Sequence, residues 1–162
     1  MGTRSLTYIL DEDDQTLCQI YRQFDGYPSG QGQALYDVLH GRHLVNGISC
    51  DDYEKEERWP FNSMGCLAAE VVKTLKNRIG DIYLRPPTPI ERLPITAEEC
   101  WAEWVYVIYP GKGKDWQTIH VAVYKGSKKS FDGLVNEMGE QFGLAAPALP
   151  LEPNPETGSP VQ

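Results

Sequence analysis

Ser5-Leu6-Thr7-Tyr8-Ile9-Leu10, the acidic run Asp11-Glu12-Asp13-Asp14, and Thr16-Leu17-Cys18-Gln19-Ile20-Tyr21-Arg22-Gln23-Phe24 decide the fold. The first segment places Leu6, Tyr8 and Leu10 on one face, a strand period. The second places Cys18, Ile20, Arg22 and Phe24 on one face. A short polar segment between two such runs predicts an antiparallel hairpin. Its register stays open. An odd-numbered loop sets Leu6 against Ile20 and Arg4 against Arg22; a two-residue loop sets Leu6 against Tyr21 and Arg4 against Gln23. The first register makes Arg4 and Arg22 a guanidinium clamp for phosphate or carboxylate, because like charges directly opposed need an anion beside them. The bland counterpart is an internal acid, such as Asp25, pairing with Arg22.

The hairpin runs into Tyr21-Arg22-Gln23-Phe24-Asp25-Gly26-Tyr27-Pro28-Ser29-Gly30-Gln31-Gly32. This stretch predicts a strand, a tight turn and a glycine-rich helix start. Helix starts carry unpaired N–H groups and a positive dipole end, which suit an anion. Ser29 is the expected N-cap, and Gly30 and Gly32 would admit an oxyanion close to the backbone. Tyr21, Tyr27 or Trp59 could stack on a base. An ordinary connection whose Gly and Pro serve only backbone geometry stands equally against this.

A chain of 162 residues with 41% hydrophobic content fits one domain with a real core. The expected domain is 1–142, followed by a Pro-rich tail over 143–162 that could dock on a partner subunit, so a homo-oligomer is an open expectation. No apolar run reaches the length of a membrane span and no secretory leader is visible, so a cytoplasmic, non-membrane protein is expected. A net charge of −8 opposes nonspecific nucleic-acid binding, yet leaves room for a small anion held by one or two arginines. Cys18, Cys50, Cys66 and Cys100 form no Cys-x-x-Cys pair, and Gly41 interrupts Asp37, His40 and His43, so neither a metal nor a cofactor is expected.

Further along, residues 30–40 predict a short helix ended by Gly41. The polar stretch 42–60 reads as a lid or surface loop. Asn62 or Ser63 should cap the main core helix, with Met64, Leu67, Ala68, Val71, Val72, Leu75 and Ile79 on its stripe and Gly80 as its stop. Strands are expected over 81–85, 101–109 and 117–125, and a third helix capped by Ser130 with Phe131, Leu134, Val135 and Met138 inward. The resulting class is α+β, with a mainly antiparallel sheet of about five strands (two hairpins plus one strand) and three helices.

Met1-Gly2-Thr3-Arg4-Ser5-Leu6-Thr7, the block Tyr21-Arg22-Gln23-Phe24-Asp25-Gly26-Tyr27-Pro28-Ser29-Gly30, and Gly65-Cys66-Leu67-Ala68-Ala69 together resemble a family of small phage and bacterial proteins with no assigned activity. The likeness spans the first half of the chain and the 104–108 strand. It implies a phage or bacterial setting and supplies no functional residues.

The expected function is binding of a small anionic, nucleotide-like ligand by Arg4, Tyr21, Arg22, Asp25, Tyr27, Ser29, Gly30 and Gly32. In a phage this would sequester a nucleotide immune signal. A hydrolase would instead use Cys66 in a helix's first turn, with His40, His43 or His120 as base. A protein-interaction module would use the acidic 51–57 run.

Overall fold

Burial along the whole of β1 (Ser5–Leu10) marks it as a central strand, covered on both faces. The computed structural model describes residues 2–47, 58–87 and 102–146. β1 pairs antiparallel with β2 (Thr16–Arg22), as the hairpin reading expects. On its other side β1 pairs in parallel with β6 (Trp104–Pro110). Then come β7 (Ile119–Lys125) and β8 (Lys128–Leu134), each antiparallel to its neighbour. The outer strand on the β2 side is the short β5 (Tyr83–Arg85). The sheet order is thus β5-β2-β1-β6-β7-β8, a six-stranded mixed sheet rather than a mainly antiparallel one of five. A small parallel pair joins β3 (Leu44–Val45) to β4 (Phe61–Asn62). The α+β class holds.

Among the described residues three helices, α1 (Gln33–Leu39), α2 (Ser63–Leu75) and α3 (Val135–Phe142), supply one side of the main core. Leu35, Leu39, Met64, Leu67, Val71 and Met138 meet Ile9, Ile20, Ile108, Val121 and Val123 of the sheet there. The other sheet face carries a second cluster, including Leu6, Tyr8, Leu10, Val105 and Val107.

Local competition moves several boundaries. Residues 128–134 form a strand, not the start of a helix. Gly126, at φ +60°, turns the chain back, and the Ser130 hydroxyl donates to the Val123 carbonyl instead of capping. Phe131 packs edge-on against Phe142, so the helix begins only at Val135. α2 stops at Leu75, short of Gly80, because the Asp81 carboxylate accepts the Asn77 and Arg78 amides and organises a separate turn. Ile79 is accordingly fully exposed and off the core stripe. Neither Asn62 nor Ser63 caps α2. Glu12 Oε1, from the β1–β2 loop, accepts the Met64 amide at 3.0 Å, placing an internal carboxylate at the positive dipole end. Residues 28–32 form a single π-helical turn before α1, and Ser29 caps nothing. α3 ends on Gly143 at φ +64°, and Ala145 exchanges two hydrogen bonds with the Gln33 side chain, so the first residues of the predicted tail fold back onto α1.

Candidate functional site

The hairpin takes the register in which Leu6 faces Tyr21 and Ser5 faces Arg22, with an irregularity between Ile9 and Leu10. Side chains alternate along a strand. Arg22 therefore shares the helix-side face with Ile20 and Cys18, while Arg4 is in phase with Leu6 and Tyr8 on the opposite face. The two arginines do not form a clamp. Tyr21 also lies on the far face, where it tilts against Tyr83 at 6.2 Å and sits beneath the Arg85 guanidinium.

Arg22 is half-buried and donates from Nε to the Phe24 carbonyl at 2.8 Å and from Nη1 to Gln31 Oε1 at 3.0 Å. Gln31 is fully buried and passes the link on, donating from Nε2 to Thr7 Oγ1 at 3.0 Å. Both Arg22 acceptors are neutral, and among the described residues Arg22 makes no ion pair. Directly across the strand pair from it, Ser5 is completely buried and its hydroxyl has no hydrogen-bond partner among the described residues. Asp25 does not pair with Arg22. It accepts the Tyr27 hydroxyl at 2.9 Å, and that hydrogen bond to a carboxylate pushes the Tyr27 phenol up. Phe24 is 56% exposed and Tyr27 is exposed beside it, so two rings border the guanidinium's turn.

The turn amides are spent internally. Gly26 donates to the Thr3 carbonyl, Gly30 to Tyr27 and Gln31 to Asp25. The Tyr106 hydroxyl donates to the Gly26 carbonyl at 2.8 Å, and burial pushes that phenol far above its ordinary range. The glycines also answer to packing. A Cβ on Gly30 would stand 2.1 Å from the Asp25 carbonyl oxygen, whereas one on Gly32 would make ordinary contacts of 3.5–3.6 Å. Of the sequence-predicted residues, the structure thus gathers Arg22, Asp25, Tyr27, Gly30 and Gly32 into one turn. It leaves Ser29 exposed and sets Arg4 and Tyr21 on the other face.

A cavity of about 230 Å³ lies elsewhere, between α1, the ends of β7 and β8, and the start of α3. Its lining includes the apolar Leu39, Ile119 and Leu134 and the polar Arg42, His43 and Thr118. Sequence reading misses it, because its residues come from separate elements with no common spacing. The side chain of Arg42 is only 10% exposed, donates from Nε to the Trp59 carbonyl at 2.7 Å and from Nη1 to the Val38 carbonyl at 3.2 Å, and lies 3.7 Å over the Phe61 ring. Burial pushes its guanidinium down to about 10, with Glu70 opposing that shift and Arg58 adding to it. Arg58 donates to the His40 and Asp37 carbonyls, so two arginines close the C-terminal end of α1.

Cys66 is exposed in the first turn of α2. Among the described residues no histidine bonds to it. His40 packs on the Tyr36 ring at 4.6 Å, and His120 Nε2 contacts Thr118 Oγ1 at 2.8 Å. The acidic 51–57 run lies outside the described residues, as do Cys50 and Cys100. No group of three metal-ligating side chains occurs among the described residues, and none of the described helices is long and apolar enough to cross a membrane. Compared with known families, curated proteins and solved structures, the chain matches none.

Proposed function

We propose that the protein binds a small anionic, nucleotide-like ligand at Arg22, with the exposed rings of Phe24 and Tyr27 as stacking surfaces for a base. The observation that carries this reading is the state of the Arg22 guanidinium: half-buried, fixed by two neutral oxygens, and with no carboxylate partner among the described residues. A fixed, uncompensated cation favours an anionic partner, and its planar fork is held in place before the ligand arrives. The buried Ser5 hydroxyl opposite it has hydrogen-bonding capacity to spare. The turn amides contribute by holding this geometry rather than by touching the ligand. In the phage or bacterial setting that the opening motifs resemble, such binding would sequester a nucleotide signal of host defence.

Thermal unfolding against mono-, di- and cyclic nucleotides, with the uncharged nucleosides as controls, tests the proposal. A ligand at a hundred times its dissociation constant stabilises the native state by about 2.7 kcal/mol. For a chain of this size that is a rise of about 5–10 °C in Tm. Arg22→Ala is expected to remain folded and to lose the shift. A nucleotide that stabilises Arg22→Ala and the unaltered protein equally removes Arg22 from the site.

A further inference from the structure

We infer that the cavity bordered by Arg42, His43, Thr118 and Leu134 is a second binding site, built for a small monocarboxylate with an apolar, ring-sized body. It is independent of the Arg22 proposal and takes a different ligand.

Size sets the first limit. An apolar cavity of about 150 Å³ holds benzene, and pockets for drug-sized ligands and cofactors run to about 300–1,000 Å³. At about 230 Å³ this cavity, open on one side, has room for a six-membered ring with one polar substituent. Lining chemistry sets the second. Leu39, Ile119, Leu134 and Val135 bring apolar groups to the lining, and Arg42, Thr118 and Asn136 bring polar ones. A ligand that fits must itself be divided into an apolar body and a polar head.

Charge sets the third. A nearly buried arginine ordinarily holds a close carboxylate. Here the nearest, Glu70, stands 3.9 Å from Nη1 and is itself 38% exposed. Arg42 otherwise meets carbonyl oxygens and a ring, and among the described residues its Nη2 donates no hydrogen bond. Arg58 adds a second positive charge nearby. The head group that compensates this edge is an anion, and a planar carboxylate matches the guanidinium fork.

The test titrates the full chain, labelled with nitrogen-15, with benzoate and separately with benzyl alcohol, which keeps the ring and removes the charge. We expect saturable shifts of the Arg42, Thr118 and Asn136 amides with benzoate at millimolar concentration, and an affinity for benzyl alcohol lower by about tenfold or more. Equal affinity for both compounds, or no saturable shift at those amides, overturns the inference. Arg42→Gln should weaken benzoate about tenfold. Should that variant unfold through loss of its bonds to Val38 and Trp59, Leu134→Trp, which fills the cavity and spares the cation, must abolish benzoate binding. Unchanged binding in Leu134→Trp overturns the inference as well. Adenosine monophosphate, the probe for Arg22, should leave the cavity amides unshifted, so the two proposals fail separately.

Discussion

Arg22 and Arg42 are the same residue in two different predicaments. Arg22 stands at the end of β2, half in solvent, with two neutral acceptors and, among the described residues, no acid. Arg42 follows α1, is almost wholly enclosed, and meets two carbonyls, an aromatic ring and, at 3.9 Å, the half-exposed Glu70 carboxylate. Desolvation disfavours the charged form, which is why burial lowers the Arg42 guanidinium. A buried arginine must be welded to its surroundings to be tolerated at all, so its removal is felt as stability. A half-exposed one keeps donors and charge in hand, and under the proposed function its removal would be felt as lost recognition.

Arg42→Ala probes the stability side of this contrast and carries the largest expected effect. It breaks two charge-assisted hydrogen bonds, at about 1.5 kcal/mol or more each, and the Phe61 contact, for a loss of about 3 kcal/mol in urea unfolding. A loss no larger than that of Arg22→Ala would break the contrast. Next comes the glycine pair. Gly30→Ala drives a methyl to 2.1 Å from the Asp25 carbonyl oxygen, a backbone atom that cannot swing away, and should cost about 2–3 kcal/mol. Gly32→Ala meets only ordinary contacts and should change stability by less than about 0.5 kcal/mol. Equal tolerance at the two positions would mean that the turn is not packed as described.

How far the sequence could be read follows from the same physics. β1 was legible to its ends because Leu6, Tyr8 and Leu10 alternate cleanly; of α1 only the end was legible, because Gly41, at φ +71°, stops it, whereas the expected start at residue 30 falls in the π-helical turn before Gln33. The parallel partnership of β1 with β6 was not, since a strand's own residues do not report its neighbour. β8 was hidden because Phe131, Leu134, Val135 and Met138 happen to fall at helical spacing across a strand–helix junction. At the candidate site, local sequence brought Arg22, Asp25, Tyr27 and Gly30 together, whereas Arg4 depended on a register that only the folded hairpin decides. The Arg42 cavity had no local signature, being assembled from contributions far apart in the chain.

Arg22→Lys sharpens the recognition side. Lysine keeps the charge but cannot bond Phe24 and Gln31 from one rigid fork. We expect about 1 kcal/mol of lost stability, with the nucleotide response reduced yet still present. If Arg22→Lys were as silent to nucleotides as Arg22→Ala, geometry rather than charge would govern the site.

The smallest perturbation uses the two thiols among the described residues. Cys18 stands opposite Ile9 on the same β2 face as Ile20, packed against the helix-side core, and burial pushes its thiol up to about 11. At pH 8 only about one molecule in a thousand would then carry the reactive thiolate there. Cys66 is exposed, close enough to Arg42 to interact with its charge. A short maleimide pulse followed by peptide mapping should label Cys66 in the native protein and Cys18 only after unfolding in urea. In Arg42→Ala, Cys18 should begin to react at lower urea than in Arg22→Lys, because α1 and α2 cover its face and Arg42 fastens the end of α1 to the chain leading into α2. The reverse order would place the structural burden on Arg22 and undo the division between the two arginines.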